Sequence, residues 1–66
     1  SEYDVLMELQ KEFSEAASWY KLGYAYKFGD SIYGNTIVMD PKRAKYCFDL
    51  AASKGYTKAG EEINNI

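Results

Sequence analysis

The sequence of 66 residues contains no histidine and a single cysteine, Cys47. One cysteine cannot form an internal disulfide, and zinc is normally held by several cysteine or histidine side chains, so neither kind of cross-link is expected. A catalytic thiol would lack a histidine as its general base. No phosphate-binding loop or dinucleotide motif is present. The sequence therefore predicts a protein that is not an enzyme, with no catalytic residue, no cofactor and no metal site.

Charge of one sign and long apolar runs are also scarce. Eight basic and ten acidic side chains give a net charge of −2, whereas a nucleic-acid-binding domain normally carries a basic stripe. No apolar stretch approaches the roughly 20 residues that cross a bilayer. The N-terminal residues are acidic and amphipathic, unlike a signal peptide. These features predict neither nucleic-acid binding nor membrane binding, and the lone thiol favours the reducing cytoplasm.

A chain of this length is expected to form one domain, which we place over residues 1–66. Its 47% hydrophobic residues and its seven tyrosines are typical of a folded chain rather than a disordered one. A domain of this size buries only about 60% of the surface of its unfolded chain. Without disulfides or a metal, its stability is expected to depend on close helix packing or on association with another chain.

Hydrophobic spacing and capping residues predict three helices and a helical tail. The third helix has the clearest start, because Asp40 can cap its first turn and Pro41 suits the first helical position. Ser14 is a plausible cap for the second helix. The expected helices cover residues 2–13, 14–28, 41–54 and 57–64.

The segment 30–39, between the second and third helices, is predicted as a loop. Residues 34–35 favour a turn, and the β-branched residues 36–38 favour a short extended stretch. Ile32 and Tyr33 are apolar side chains in this loop, and such residues either fold over the helix ends or bind a partner.

Small residues recur at fixed offsets between aromatic residues, which is typical of two helices that pack at close range. Gly23 costs roughly 1 kcal/mol of helix propensity, so a close approach of the third helix is its expected reason. The facing residues of the third helix are expected to be Ala44, Cys47, Phe48 and Ala51. An offset of 41 residues also relates Ser14, Ser18 and Leu22 to Gly55, Ala59 and Ile63. The tail therefore has the pattern of another second-type helix, and the first helix that of a degenerate third-type helix.

This pattern resembles the Sel1-like repeats, a tetratricopeptide-related family of helix pairs. The resemblance covers about residues 18–63, with departures at Ser18, Cys47 and Asn64, and a loop longer than is usual in the family. The matching positions are Leu22, Gly23, Tyr26, Gly29, Asp40, Ala44, Phe48, Ala51, Ala52, Gly55 and Ala59.

The resemblance implies an all-α fold, an antiparallel helix pair with an extra N-terminal helix and a short C-terminal helix. It also implies a non-enzymatic protein–protein interaction module. Size and analogy favour a small adaptor, or an inhibitor of the phage-encoded or immunity type. The alternative is a structural homo-oligomer, such as a homodimer, in which the tail of one chain completes the repeat of the next and buries Ile63 and Ile66.

A helical wheel of the second helix separates a buried face from a tyrosine-rich face. With Leu22 at the centre of the buried face, the tyrosine-rich face lies opposite. The residues expected to share the buried face with Leu22 are Ser18, Trp19, Ala25, Tyr26 and Gly29. The tyrosine-rich residues either pack against the first helix or form an exposed surface for another protein. Together with the loop, the predicted protein-binding residues are Tyr20, Tyr24, Lys27, Ile32 and Tyr33.

Overall fold

The computed structural model describes residues 1–65 of the chain. The fold is mainly α-helical, as predicted, with four helices and one β-hairpin in these residues. In chain order the elements are α1 (Glu2–Gln10), α2 (Glu15–Phe28), β1 (Asp30–Ile32), β2 (Asn35–Ile37), α3 (Pro41–Ser53) and α4 (Lys58–Ile63).

Side-chain caps begin the first three helices. Ser1 and Asp4 form a capping box on α1, and the Ser14 hydroxyl accepts a hydrogen bond of 3.1 Å from the Ala17 N–H. Asp40 caps α3 in the same way, with Pro41 at the first position, as predicted. The first helix was expected to reach residue 13 but ends at Gln10, because the extended backbone of Ser14 that caps α2 requires a break before it.

The predicted loop is in fact a β-hairpin. Asp30 pairs with Ile37 and Ile32 pairs with Asn35 in antiparallel register, which leaves a two-residue turn. Both turn residues, Tyr33 and Gly34, have positive φ (49° and 78°), the combination of the type I′ turn that suits the twist of a hairpin. The expected extended stretch therefore exists, shifted by one residue to 35–37.

The core is the interface between α2 and α3. The predicted face of α3 is confirmed, since Ala44, Cys47, Phe48 and Ala51 are all buried. On α2, Ser18, Leu22, Ala25 and Tyr26 are buried as predicted, whereas Trp19 and the C-cap Gly29 are only half-buried. A Cβ atom on Gly23 would lie 2.7 Å from Cε1 of Phe48, which confirms the close approach inferred from the glycine.

The contacts of the Glu2 carboxylate show how the first three helices are oriented relative to one another. Glu2 Oε1 accepts hydrogen bonds from the Tyr26 hydroxyl at 2.9 Å and from Nη1 of Arg43 at 3.2 Å. Burial and the neighbouring Glu2 raise the pKa of Tyr26 to about 12. Because Glu2 and Arg43 begin their helices and Tyr26 is near the end of α2, α1 and α3 start at the same end and α2 runs opposite to both.

Candidate protein-interaction surfaces

Tyr20, expected on an exposed binding face, is buried with only 9% of its surface accessible. Its ring stacks on that of Tyr56 with centroids 4.5 Å apart and also contacts Phe48. Burial raises the pKa of Tyr20 to about 12. The prediction that Tyr20 is available to a partner is therefore wrong. Its covering residue comes from the segment that leads into α4, not from the first helix as the packing alternative supposed.

Tyr24 and Lys27 are half-buried beside the same segment. The Tyr24 ring packs against Phe28 and Phe48, and Lys27 Nζ lies 3.0 Å from Glu62 Oε1 on α4. The two side chains of this ion pair are only 18% and 14% exposed, so water screens the pair less than a pair on the open surface. The predicted tyrosine face is thus covered in part by the segment 56–62, through the ring of Tyr56 and the carboxylate of Glu62.

The attachment of α4 is expected to weaken at acidic pH. The hydrogen bond from Lys27 lowers the pKa of Glu62. The stabilisation that the ionised Glu62 gives to the folded position of α4 is therefore complete above the ordinary glutamate pKa of about 4.3, and it is lost as the pH falls through the lowered pKa. Over that interval the ring NMR signals of Tyr56 should shift. In Glu62→Gln the Tyr56 signals should lie at every pH where the wild-type signals lie at acidic pH. Glu8→Gln, which removes the exposed ion pair with Lys11, should behave like the wild type. Tyr56 signals that respond neither to pH nor to Glu62→Gln would contradict the attachment.

Ile32 and Tyr33, the other predicted residues, lie on the hairpin. Ile32 is half-buried against the core, whereas Tyr33 is 47% exposed at the turn and its hydroxyl donates to Glu12. That hydrogen bond raises the pKa of Tyr33. Among residues 1–65 no hydrogen bond, ion pair or aromatic contact joins Tyr33 to Tyr20, Tyr24 or Lys27, so the predicted set divides into two separate places.

The outer edge of β2 has no strand partner among the described residues, because the sheet consists of β1 and β2 alone. The pair Ile32–Asn35 closes the two-residue turn and is therefore hydrogen-bonded. Antiparallel pairs alternate, so the next pair, Ser31–Thr36, is not hydrogen-bonded, and Thr36 directs its N–H and C=O away from β1. Thr36 is exposed to solvent.

A cavity of about 290 Å³ lies against this edge. Residues 35–40 form one side of it, and Ser1, Glu2 and Tyr26 form the other. Val38 and Met39, which continue the chain beyond β2, are 74% and 60% exposed. We call residues 35–39 with this cavity the strand-edge site. Sequence reasoning identified the apolar character of the segment but not its free backbone edge.

A second exposed surface lies on the outer side of α1 and α3. Tyr3 and Tyr46, 74% and 55% exposed, line a common open groove of about 580 Å³. Met7 follows Tyr3 by one helical turn and is 58% exposed, and Tyr46 packs edge-to-face on Trp19 of α2. We call Tyr3, Met7 and Tyr46 the aromatic face. Sequence reasoning missed it, although Tyr46 falls outside the buried stripe of α3 on a helical wheel.

The other features considered as functional sites are the Cys47 thiol, possible metal ligands and the C-terminal isoleucines. Cys47 is buried as predicted, and burial raises the pKa of its thiol to about 12. In residues 1–65 no group of three or more cysteine, aspartate or glutamate side chains is arranged to hold a metal ion. The described helices also include none with the length and apolar character needed to cross a membrane. Ile63 packs half-buried against the core of its own chain, and Ile66 lies outside the described residues.

Comparison with protein-family models, with curated proteins and with solved structures finds no match for this chain. The likeness to Sel1-like repeats therefore depends on the residue pattern alone.

Proposed function

We propose that this chain is a non-enzymatic protein-interaction module of the Sel1-like kind, an adaptor or inhibitor, whose partner adds an extended segment to the strand-edge site. The observation that carries the proposal is the unpaired outer edge of β2 beside the cavity. An extended peptide can pair with such an edge through main-chain hydrogen bonds, while pockets for alternate side chains provide specificity.

The composition of this edge supports the proposal. Proteins normally protect a free strand edge with lysine, proline or an inward-pointing charge. The segment Asn-Thr-Ile-Val-Met at 35–39 carries no charged residue and no proline. Buried Ile37 fixes which face points to the core, so Thr36 and Val38 alternate onto the outer face. The edge therefore offers both backbone groups and an apolar side chain to an incoming strand.

The position of the hairpin also supports the proposal. It occupies the loop whose extra length the family pattern does not require, so the helix pair alone does not account for it. The alternative function, completion of the repeat in trans by the tail, gains no support from Ile63, which packs within its own chain. The proposed partner is therefore another protein that offers an extended, apolar segment.

Thr36→Pro should weaken binding at the strand-edge site. Proline removes the outward N–H, yet the pairing with β1 does not use this group, so the hairpin should persist. Short peptides selected from a random display library on the wild-type protein are the probe, and calorimetry is the measurement. We expect the Kd to rise at least about fivefold, because a carbonyl left without its donor costs about 1–3 kcal/mol.

Thr36→Ala is the matched control, since it removes the side chain and retains the N–H. Binding by this variant should stay close to that of the wild type. Hydrogen exchange should show that bound peptide protects the amides of Thr36 and Val38. Selected peptides that bind Thr36→Pro as tightly as the wild type and protect amides elsewhere would refute the strand-edge site.

A further inference from the structure

The strand-edge site is closed at one end by α2. Asp40 continues the extended backbone (φ −153°, ψ 95°), and its N–H donates to the Tyr26 carbonyl at 2.8 Å. In an extended segment every second N–H points to the same side, so this bond takes the position that follows Thr36 and Val38 along the outer edge. A strand that pairs with Thr36 and Val38 finds no free donor at Asp40 and cannot continue past it. We call this the closed end of the strand-edge site.

Two carboxylates line the cavity at the closed end. Glu2 and Asp40 both line it, and one guanidinium contacts both of them. Arg43 Nη1 lies 3.2 Å from Glu2 Oε1, and Arg43 Nε lies 3.9 Å from Asp40 Oδ2. Because a guanidinium is small, the two carboxylates lie close together. Two acids and one base leave a net charge of −1 at the closed end.

Each of these carboxylates has an oxygen with remaining hydrogen-bonding capacity. The two hydrogen bonds that Glu2 accepts both end on Oε1, and Asp40 Oδ1 accepts the Arg43 N–H. Among residues 1–65 no hydrogen bond ends on Glu2 Oε2 or Asp40 Oδ2, since 3.9 Å from Arg43 Nε is too long for one. The Glu2 side chain is only 19% exposed, so water screens its charge less than at the open surface.

The neighbouring cations are placed elsewhere. The Ser1 ammonium lies near the other end of the cavity, 3.4 Å from Asn35 Oδ1, and pairs with Asp4 at 3.1 Å. Lys42 lines the open groove of the aromatic face and does not line the cavity. The closed end therefore stays negative and favours a positively charged group.

We propose that, given the strand pairing of the proposed function on which this inference rests, the partner segment is a free N-terminus whose α-ammonium binds the Glu2 and Asp40 carboxylates. β2 runs from Asn35 towards Asp40, so a segment that begins at the closed end runs antiparallel to it, which is the slightly more stable pairing. An ammonium offers three donors, whereas a C-terminal carboxylate placed there would meet two like charges. Residues 35–39 can pair with about the first five residues of such a segment.

Capped and extended peptides test the assignment of the N-terminus. The probe is a peptide selected on the wild-type protein from a library displayed with free N-termini. It is synthesised with a free amine, with an acetylated amine, or with Gly-Ser ahead of its first residue. Calorimetry should give a Kd at least about tenfold higher for the acetylated and the extended forms, because the charge-assisted hydrogen bonds are lost. Amidation of the C-terminus should change the Kd by less than about twofold, since that end leaves the edge beside the exposed turn.

Glu2→Gln with Asp40→Asn removes both charges, yet it keeps an oxygen for the Tyr26 hydroxyl and for the cap of α3. In this double variant the free and acetylated peptides should differ by less than about twofold in Kd, with unchanged helical circular dichroism. The control Glu8→Gln with Asp49→Asn removes the same charge from exposed ion pairs outside the cavity. It should retain the difference of at least about tenfold between the two peptides.

The two proposals fail in different ways. An acetylated peptide that binds the wild type as tightly as its free form, and still protects the amides of Thr36 and Val38, would overturn the N-terminal assignment and leave the strand-edge site in place. A tenfold preference for the free amine that persists in E2Q/D40N would also overturn that assignment, because the amine would then bind elsewhere. Peptides that bind Thr36→Pro as tightly as the wild type would refute the strand-edge site itself.

Discussion

Phe48→Ala is expected to leave the chain largely unfolded at 25 °C. The Phe48 side chain is fully buried and its ring contacts Tyr20 and Tyr24, so truncation removes both its burial and the packing of α2 against α3. Truncating a buried phenylalanine costs about 3–5 kcal/mol. A core of this size supplies only about 3–5 kcal/mol in total, so the loss is comparable with the whole free energy of unfolding.

Urea titration followed by circular dichroism at 222 nm would measure this effect. Phe28→Ala is a matched control, because Phe28 is 65% exposed at the end of α2. That variant should lose about 1 kcal/mol or less, mainly from its stacking on Tyr24. Equal destabilisation by the two substitutions would mean that the core is not centred on Phe48.

Gly23→Leu should destabilise the fold by about 1–3 kcal/mol even though leucine is the better helix former. Its Cβ would lie 2.7 Å from Cε1 and 2.8 Å from Cδ1 of Phe48, and the rest of the side chain would need space that the ring occupies. Displacing a fully buried ring is costly because its neighbours are packed on every side. The measurement is again the free energy of unfolding in urea.

Two further variants separate overpacking from helix propensity. Gly60→Ala adds a Cβ in α4 where nothing lies within 4 Å, so it should stabilise the fold by up to about 1 kcal/mol. Phe48→Leu, made together with Gly23→Leu, should recover part of the cost, because the smaller side chain vacates the contested space. A cost of Gly23→Leu that is the same in the wild type and in the Phe48→Leu variant would rule out the clash as its cause.

Local signals account for the parts of the fold that the sequence predicted correctly. Ser14 and Asp40 cap helices through bonds to residues three positions away, so their effect is visible in a short window. The buried stripe of α3 follows from the helical period, and a glycine inside the helical pattern of α2 indicates a close contact at Gly23. These features need no knowledge of which distant segments meet.

The hairpin and the buried position of Tyr20 could not be predicted for the opposite reason. A type I′ turn usually contains asparagine or glycine at its first central position, and here Tyr33 occupies it with a positive φ. The cover of Tyr20 depends on Tyr56 and on the pairing of Lys27 with Glu62, residues 35 positions apart. A helical wheel shows which side chains share a face, but not which segment packs on them.

The hydrogen bonds that hold the hairpin in place affect which partner segments bind the strand-edge site most tightly. The Asp40 N–H donates to the Tyr26 carbonyl of α2 at 2.8 Å, and the Tyr33 hydroxyl donates to Glu12 in the turn that follows α1. Both ends of the strand edge are therefore held in place before any partner arrives. An edge that is already extended has little conformational entropy left to lose, and the ordering cost falls on the incoming segment. Segments rich in β-branched residues lose less freedom on extending than glycine-rich ones. Affinity should therefore follow the stiffness of the incoming segment as well as its side-chain contacts.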